Sequence, residues 1–162
     1  AKVRAMPNNE QAPLRQQMYL RALATLPCVT VHLGYFQKAP KKMPLVKPLA
    51  DGTTMVKVWK FEEKGSDVNL ATYLLLDAFQ NDFDGAAVIT NDSDLVEPIK
   101  VVRDTLGKCV EVLDPCGDAR TSAELTKVAT FYKPIRQGAI GASLFPDTLT
   151  DATGTFRKPA GW

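Results

Sequence analysis

Asp84-Gly85-Ala86-Ala87-Val88-Ile89-Thr90-Asn91-Asp92-Ser93-Asp94-Leu95 is the stretch on which the fold turns. Residues 85–90 form a short, uniformly apolar run. Such runs are typical of strands covered on both faces, as in parallel sheets. A helical pattern follows at once. Leu95, Ile99, Val102 and Leu106 recur on one face, Asp94 with Glu97 makes a capping-box-like start, and Gly107 ends the element.

Outward from this unit the pattern repeats. On the C-terminal side, residues 109–113 read as a short strand. Residues 122–132 read as an amphipathic helix with Leu125, Val128, Ala129 and Tyr132 inward, and residues 133–135 as a short edge strand. On the N-terminal side, Ser66 opens a helix as its N-cap, with Val68, Ala71, Leu75 and Ala78 as its apolar stripe. Residues 55–61 and 29–36 are strands by composition. Residues 13–26 are a helix with Pro13 in its first turn, Leu14, Met18, Ala22 and Leu26 inward, and Pro27 as its stop. The Lys- and Pro-rich stretch 37–54 reads as a loop with Gly52 in a turn. Strands alternating with helices of this length signal βαβ units, so an α/β fold with a mainly parallel sheet is expected. It occupies one domain over 1–136, followed by an irregular tail over 137–162. In that tail Phe156 and Trp162 are candidates to pin it to the body or to a partner chain, including a second copy.

The 162 residues suit a core of ordinary size, and 45% hydrophobic with 23% charged residues is normal for a globular chain. A net charge of +2 does not by itself announce a nucleic-acid binder, so the placement of charge matters more than its total. No apolar run approaches the roughly 18 residues of a membrane span. Three scattered cysteines, Cys28, Cys109 and Cys116, and one histidine, His32, offer no structural zinc site. Cys28 and Cys109 read as buried thiols and Cys116 as a loop residue, a usage that fits a reducing cytoplasm.

In parallel sheets ligands bind outside the carboxyl ends of the strands. There stand Asn91, Asp92, Ser93 and Asp94, and Asp67 stands at the start of the preceding helix. Clustered carboxylates raise one another's pKa unless a cation lies between them. Oxygen donors with few histidines suit Mg²⁺ or Mn²⁺. A single Asp in this place is as readily a helix cap as a ligand, but one cap needs one side chain and this stretch offers three. Asp-x-Asp after an apolar strand also binds metal diphosphates in sugar-nucleotide transferases, yet the chain is short for such enzymes and shows no acceptor-binding region.

The run Glu63-Lys64-Gly65-Ser66-Asp67-Val68-Asn69-Leu70-Ala71, followed by the 84–95 stretch and then by Val102-Arg103-Asp104-Thr105-Leu106-Gly107-Lys108-Cys109-Val110, resembles the NYN domain of the PIN-like nuclease superfamily. The resemblance covers residues from about 13 to 136. It implies a three-layer α/β/α sandwich around a mainly parallel central sheet. It also implies Mg²⁺ or Mn²⁺ as cofactor, RNA as partner and phosphodiester hydrolysis as the reaction. A catalytically degenerate RNA- or protein-binding module is the alternative. Asp67, Asp92 and Asp94 match the family's acidic positions and would carry both metal and catalysis. Asn91 and Ser93 match flanking polar positions that orient the ligands, and Lys64 matches a basic residue that meets a phosphate. The family's first strand ends in Asp-Gly-x-Asn, a motif not found in this sequence, whose opening Ala1-Lys2-Val3 reads like the end of an element. An N-terminally incomplete domain is therefore expected.

Other residues carry weaker readings. Arg15 near the start of the first helix either reaches substrate or is an ordinary exposed helical cation. Lys38, Lys41, Lys42 and Lys47 either touch a phosphate backbone or solvate a loop. Trp59 and Phe61 either stack on bases or pack in the core, with the core favoured. Asp114, Asp118 and Arg120 follow the 109–113 strand and are secondary candidates for the same edge. His32 reads as structural.

Overall fold

The computed structural model describes residues 10–117 and 121–160. Asp118, Arg120, Trp162 and the opening Ala1-Lys2-Val3 lie outside the described residues. The chain divides into two compact units. One takes the sequence up to Ser66 with Thr150–Gly154 and the last residues from Lys158; the other takes Asp67–Leu149 with Thr155–Arg157. No helix among the described residues is long and apolar enough to cross a membrane.

In the first unit, α1 spans Ala12–Leu23, with Pro13 in its first turn as expected. Only Ala22 of its expected inner face is buried; Leu14 is half-exposed and Leu26 lies beyond the helix. The strand expected over 29–36 is not formed there. Instead β1 covers Tyr35–Pro44 and pairs antiparallel along its whole length with β2, Met55–Lys64. Residues 37–44 of the Lys- and Pro-rich stretch read as a loop are therefore strand, while 45–54 is the connecting loop, with Gly52 at φ +83 in a turn as expected. Proline removes a backbone donor, but each strand of a two-stranded ribbon has an unpaired edge, so Pro40 and Pro44 are tolerated. Gly34 lies against the end of β2, where a Cβ would sit 2.3 Å from both the Lys64 carbonyl and Glu63 Oε1. Gly65 follows with φ +93, a left-handed turn that leads the chain out of the ribbon.

In the second unit, α2 (Ser66–Gln80, its first residue belonging to the first unit) leads to β3 (Gly85–Ile89). A 3₁₀ turn at Ser93–Leu95 runs into α3 (Val96–Lys100) and a π-helical turn at Val101–Thr105, closed by Gly107 at φ +67. Then come β4 (Cys109–Asp114), α4 (Ala123–Val128) and β5 (Phe131–Pro134). The order is β3-β4-β5, all parallel, with Gly85 opposite Cys109 and Glu111 opposite Phe131. The fold is thus mixed α/β on a parallel sheet. Leu74, Ala78, Val88, Leu95, Ile99, Val102, Val110, Val112 and Leu125 form the core between the helices and one face of the sheet. Arg103 donates to the carbonyls of Lys127 (3.1 Å) and Val128 (2.6 Å), capping the end of α4.

Several expectations are corrected here. α4 stops at Val128, and Phe131 and Tyr132 belong to β5 rather than to the helix. Val68 is two-thirds exposed, and the inner face of α2 turns on Leu74 and Ala78. β3 is buried on one face only, leaving Ile89 61% exposed. Uniform apolarity hid this because alanine is small enough to serve either face. Cys28 and Cys109 are exposed, as is Cys116. The stretch read as an irregular tail holds α5 (Gln137–Ala142) and a hairpin of β6 (Thr148–Asp151) and β7 (Gly154–Arg157), with Phe156 buried.

Candidate functional site

The carboxyl edge of the parallel sheet is built by the turns that leave β3 and β4. Thr90 continues the ladder through its N–H to the Leu113 carbonyl at 3.2 Å and is buried. Its hydroxyl accepts the Asp92 N–H at 3.0 Å, which bends the chain at the strand end. Asp92, at φ −90 and ψ 121, then accepts the Asp94 N–H on Oδ1 at 2.9 Å and caps the 3₁₀ turn. The cap is therefore Asp92 rather than Asp94. It engages one carboxylate oxygen, and Asp92, Ser93 and Asp94 are all exposed.

Asn91 faces a different task. Its Oδ1 accepts the Ser122 N–H at 3.1 Å and lies 3.3 Å from the Tyr132 hydroxyl. That hydroxyl donates to Asp114 Oδ2 at 2.8 Å, and Asp114 Oδ1 accepts the Cys116 N–H at 2.7 Å. Asp114 is fully buried at the end of β4. Burial, and then the bond to Asp114, push the Tyr132 hydroxyl above its ordinary pKa. This network ties the ends of β3, β4 and β5 to the start of α4. Asn91 thus acts through its carbonyl as a positioning residue for the acidic turn beside it.

Asp114 and Tyr132 are what the sequence reading undervalued. The signal for Asp114 was available, since it directly follows an apolar strand at the same edge. Tyr132 was hidden by its placement on a helix that ends four residues earlier. Asp67 stands exposed in the first turn of α2. Among the described residues, no three of His, Cys, Asp and Glu are grouped closely enough to hold a metal ion. Asp67, Asp92 and Asp94 are accordingly not drawn into one three-carboxylate set. The adjacent Asp92 and Asp94 remain, oxygen donors of the kind a hard cation takes when it uses only one or two protein carboxylates and completes its shell with water and substrate oxygens.

Lys64 and Arg15 belong to the first unit. Lys64 ends β2 and pairs with Glu62 at 3.3 Å. Arg15 is half-buried on α1. Glu63 Oε1 accepts from the Ser66 backbone N–H at 3.2 Å and hydroxyl at 2.8 Å, so it fixes the chain's turn out of the ribbon.

With this geometry in hand, the NYN domain pattern matches residues 36–135, more than half of the chain, and the chain belongs to that family. A 6-hydroxy-3-succinoylpyridine 3-monooxygenase from Pseudomonas putida is 29% identical over 137 residues, a match covering 80% of this chain and 44% of that protein. A crystal structure of a protein of unknown function from Vibrio parahaemolyticus shares the fold at a TM-score of 0.51 and 16% identity. That match covers 85% of this chain and 66% of that one. The chain thus spans under half of its curated relative.

Proposed function

We propose that this NYN domain hydrolyses RNA phosphodiester bonds with the help of Mg²⁺ or Mn²⁺ held at the Asp92–Asp94 turn. The observation that carries the reading is the exposed Asn91-Asp92-Ser93-Asp94 turn at the carboxyl edge of the parallel sheet in a chain of this family. A divalent cation there would lower the pKa of a bound water and neutralise charge on a phosphodiester. The chain's own part is positional. Asn91 and Thr90 fix the turn, Asp92 and Asp94 present carboxylate oxygens to solvent, and Ser93 between them offers a hydroxyl to substrate or water. A second helical layer against the face bearing Ile89, Glu111 and Phe131 would complete the three-layer sandwich that the resemblance implies.

The test is cleavage of an end-labelled RNA in Mn²⁺, with a chelator control and the Asp92→Asn and Asp94→Asn variants. The reading expects metal-dependent cleavage that both variants lose. The second reading, a binding module without catalysis, is favoured by the lack of a three-carboxylate group among the described residues. It predicts RNA binding with no cleavage under any metal. Turnover of 6-hydroxy-3-succinoylpyridine by this chain would instead align it with its named relative and displace both.

A further inference from the structure

One face of the β1–β2 ribbon is defined by its register. Lys38 lies opposite Phe61, Pro40 opposite Trp59, Lys42 opposite Lys57 and Pro44 opposite Met55. Directly opposed residues and their neighbours two along share a face. Lys38, Lys42, Lys57, Trp59 and Phe61 therefore stand together. The ring contacts agree, since Lys38 Nζ lies 4.6 Å from the Trp59 ring centre and 5.3 Å from that of Phe61. Trp59 is nonetheless 61% exposed, so the core role expected for it is not the one it has.

Charge on the ribbon is lopsided. Residues 35–64 hold seven lysines against three carboxylates. Glu62, on the opposite face, is taken up by Lys60 and Lys64, and Glu63 is bonded to Ser66. Lys38, Lys42 and Lys57 have no carboxylate partner among the described residues, and all three are exposed. An exposed indole flanked by unpaired ammonium groups along a strand pair about 33 Å long matches a chain of phosphates whose bases are free to stack.

From this we infer that this ribbon face binds single-stranded RNA, with a base stacked on Trp59 and phosphates met by Lys38, Lys42 and Lys57. The choice of RNA rests on the ribonuclease reading; the surface itself does not. Aromatic stacking tolerates any base because every base has a π-face, so the face holds the strand without reading its sequence. Duplex RNA is excluded because its bases are already stacked on one another. Lys38, now over the two rings, keeps its charge at the stacking position and can meet the phosphate next to the stacked base.

The experiment is fluorescence anisotropy with a labelled single-stranded RNA of about 12 nucleotides, within the span such surfaces engage, in EDTA so that no cleavage occurs. Trp59→Ala is expected to weaken binding roughly 5- to 100-fold and Trp59→Phe to recover most of it. Lys42→Ala with Lys57→Ala should flatten the dependence of log K on log salt by about 0.7 per lysine. No binding by the parent chain, parent-like binding by Trp59→Ala, equal affinity for duplex RNA, or tighter binding of the matching DNA strand would each overturn the inference. Mn²⁺-dependent cleavage that persists when ribbon variants bind normally would leave the ribonuclease reading standing alone. Ribbon-dependent binding with no cleavage would leave the ribbon standing alone.

Discussion

In the parallel sheet, Val88, Val110 and Val112 are at most 4% exposed, and Ile99, Val102 and Leu125 close over them. In the β1–β2 ribbon, Tyr35 and Trp59 are each more than 60% exposed, although the two strands pair over ten residues. Both regions are joined by backbone pairing, while burial separates them. Burial stabilises and fixes the sheet, and its exposed carboxyl edge inherits that rigidity. A two-stranded ribbon is marginal by itself, and its side chains are left available for contact. On the function proposed above, chemistry belongs to the sheet edge and contact with an RNA strand to the ribbon.

The largest effect that can break this comparison is on the core. Ile99→Ala should cost about 2–5 kcal/mol by urea unfolding, against about 0.5 kcal/mol or less for Trp59→Ala. Equal costs would mean that the ribbon is packed like the sheet. Next is the polar network under the acidic turn. Tyr132→Phe leaves the buried Asp114 without its hydroxyl donor and should cost about 1–3 kcal/mol. Because the folded state raises the Tyr132 pKa, its contribution is complete below about pH 10. It fades as pH rises through the raised value, so the variant should show a flatter alkaline limb in its stability profile.

A smaller effect concerns the first unit. Arg21 grips Asp151 through Nε at 2.6 Å and Nη2 at 2.8 Å, and Thr153 adds its N–H and hydroxyl. The Arg21 bond, followed by those from Thr153, holds the Asp151 carboxyl far below the usual carboxylate range. The contribution of this clamp is present above about pH 4 and is lost as pH falls toward that depressed value. Asp151→Asn should leave proteolysis of the β6–β7 turn insensitive to pH below 4, where the parent becomes progressively more easily cut. The smallest expected change is the stability of Asp92→Asn. Asparagine caps a helical turn about as well as aspartate, so the unfolding free energy should hold to within a few tenths of a kcal/mol. Lost cleavage in that variant then reports on charge and not on the turn.

The parallel sheet was legible because its signals are local. Gly85–Ile89 is a short apolar run, Cys109–Leu113 alternates Val110 and Val112 with other residues, and Leu95, Ile99 and Val102 keep helical spacing. The acidic turn was legible for the same reason, as was the resemblance of Glu63 to Ala71 and of the 84–95 stretch to the family that residues 36–135 match. The ribbon was not. Pro40, Pro44 and six lysines in its strands read as breakers and solvent, and nothing in the sequence reports that strand edges are unpaired. The half-covered face of β3 was invisible because Ala86 and Ala87 suit either side. The Asn91, Tyr132 and Asp114 network joins three strand ends, and no spacing rule links residues 41 positions apart.

The central claim separates holding from cutting, and single-turnover cleavage in Mn²⁺ across a range of RNA concentrations tests it most directly. The account predicts that Trp59→Ala needs more RNA to saturate but then cleaves at the parent rate, whereas Asp92→Asn stays inactive at every concentration. Parent-rate cleavage by Asp92→Asn at saturating RNA would contradict it.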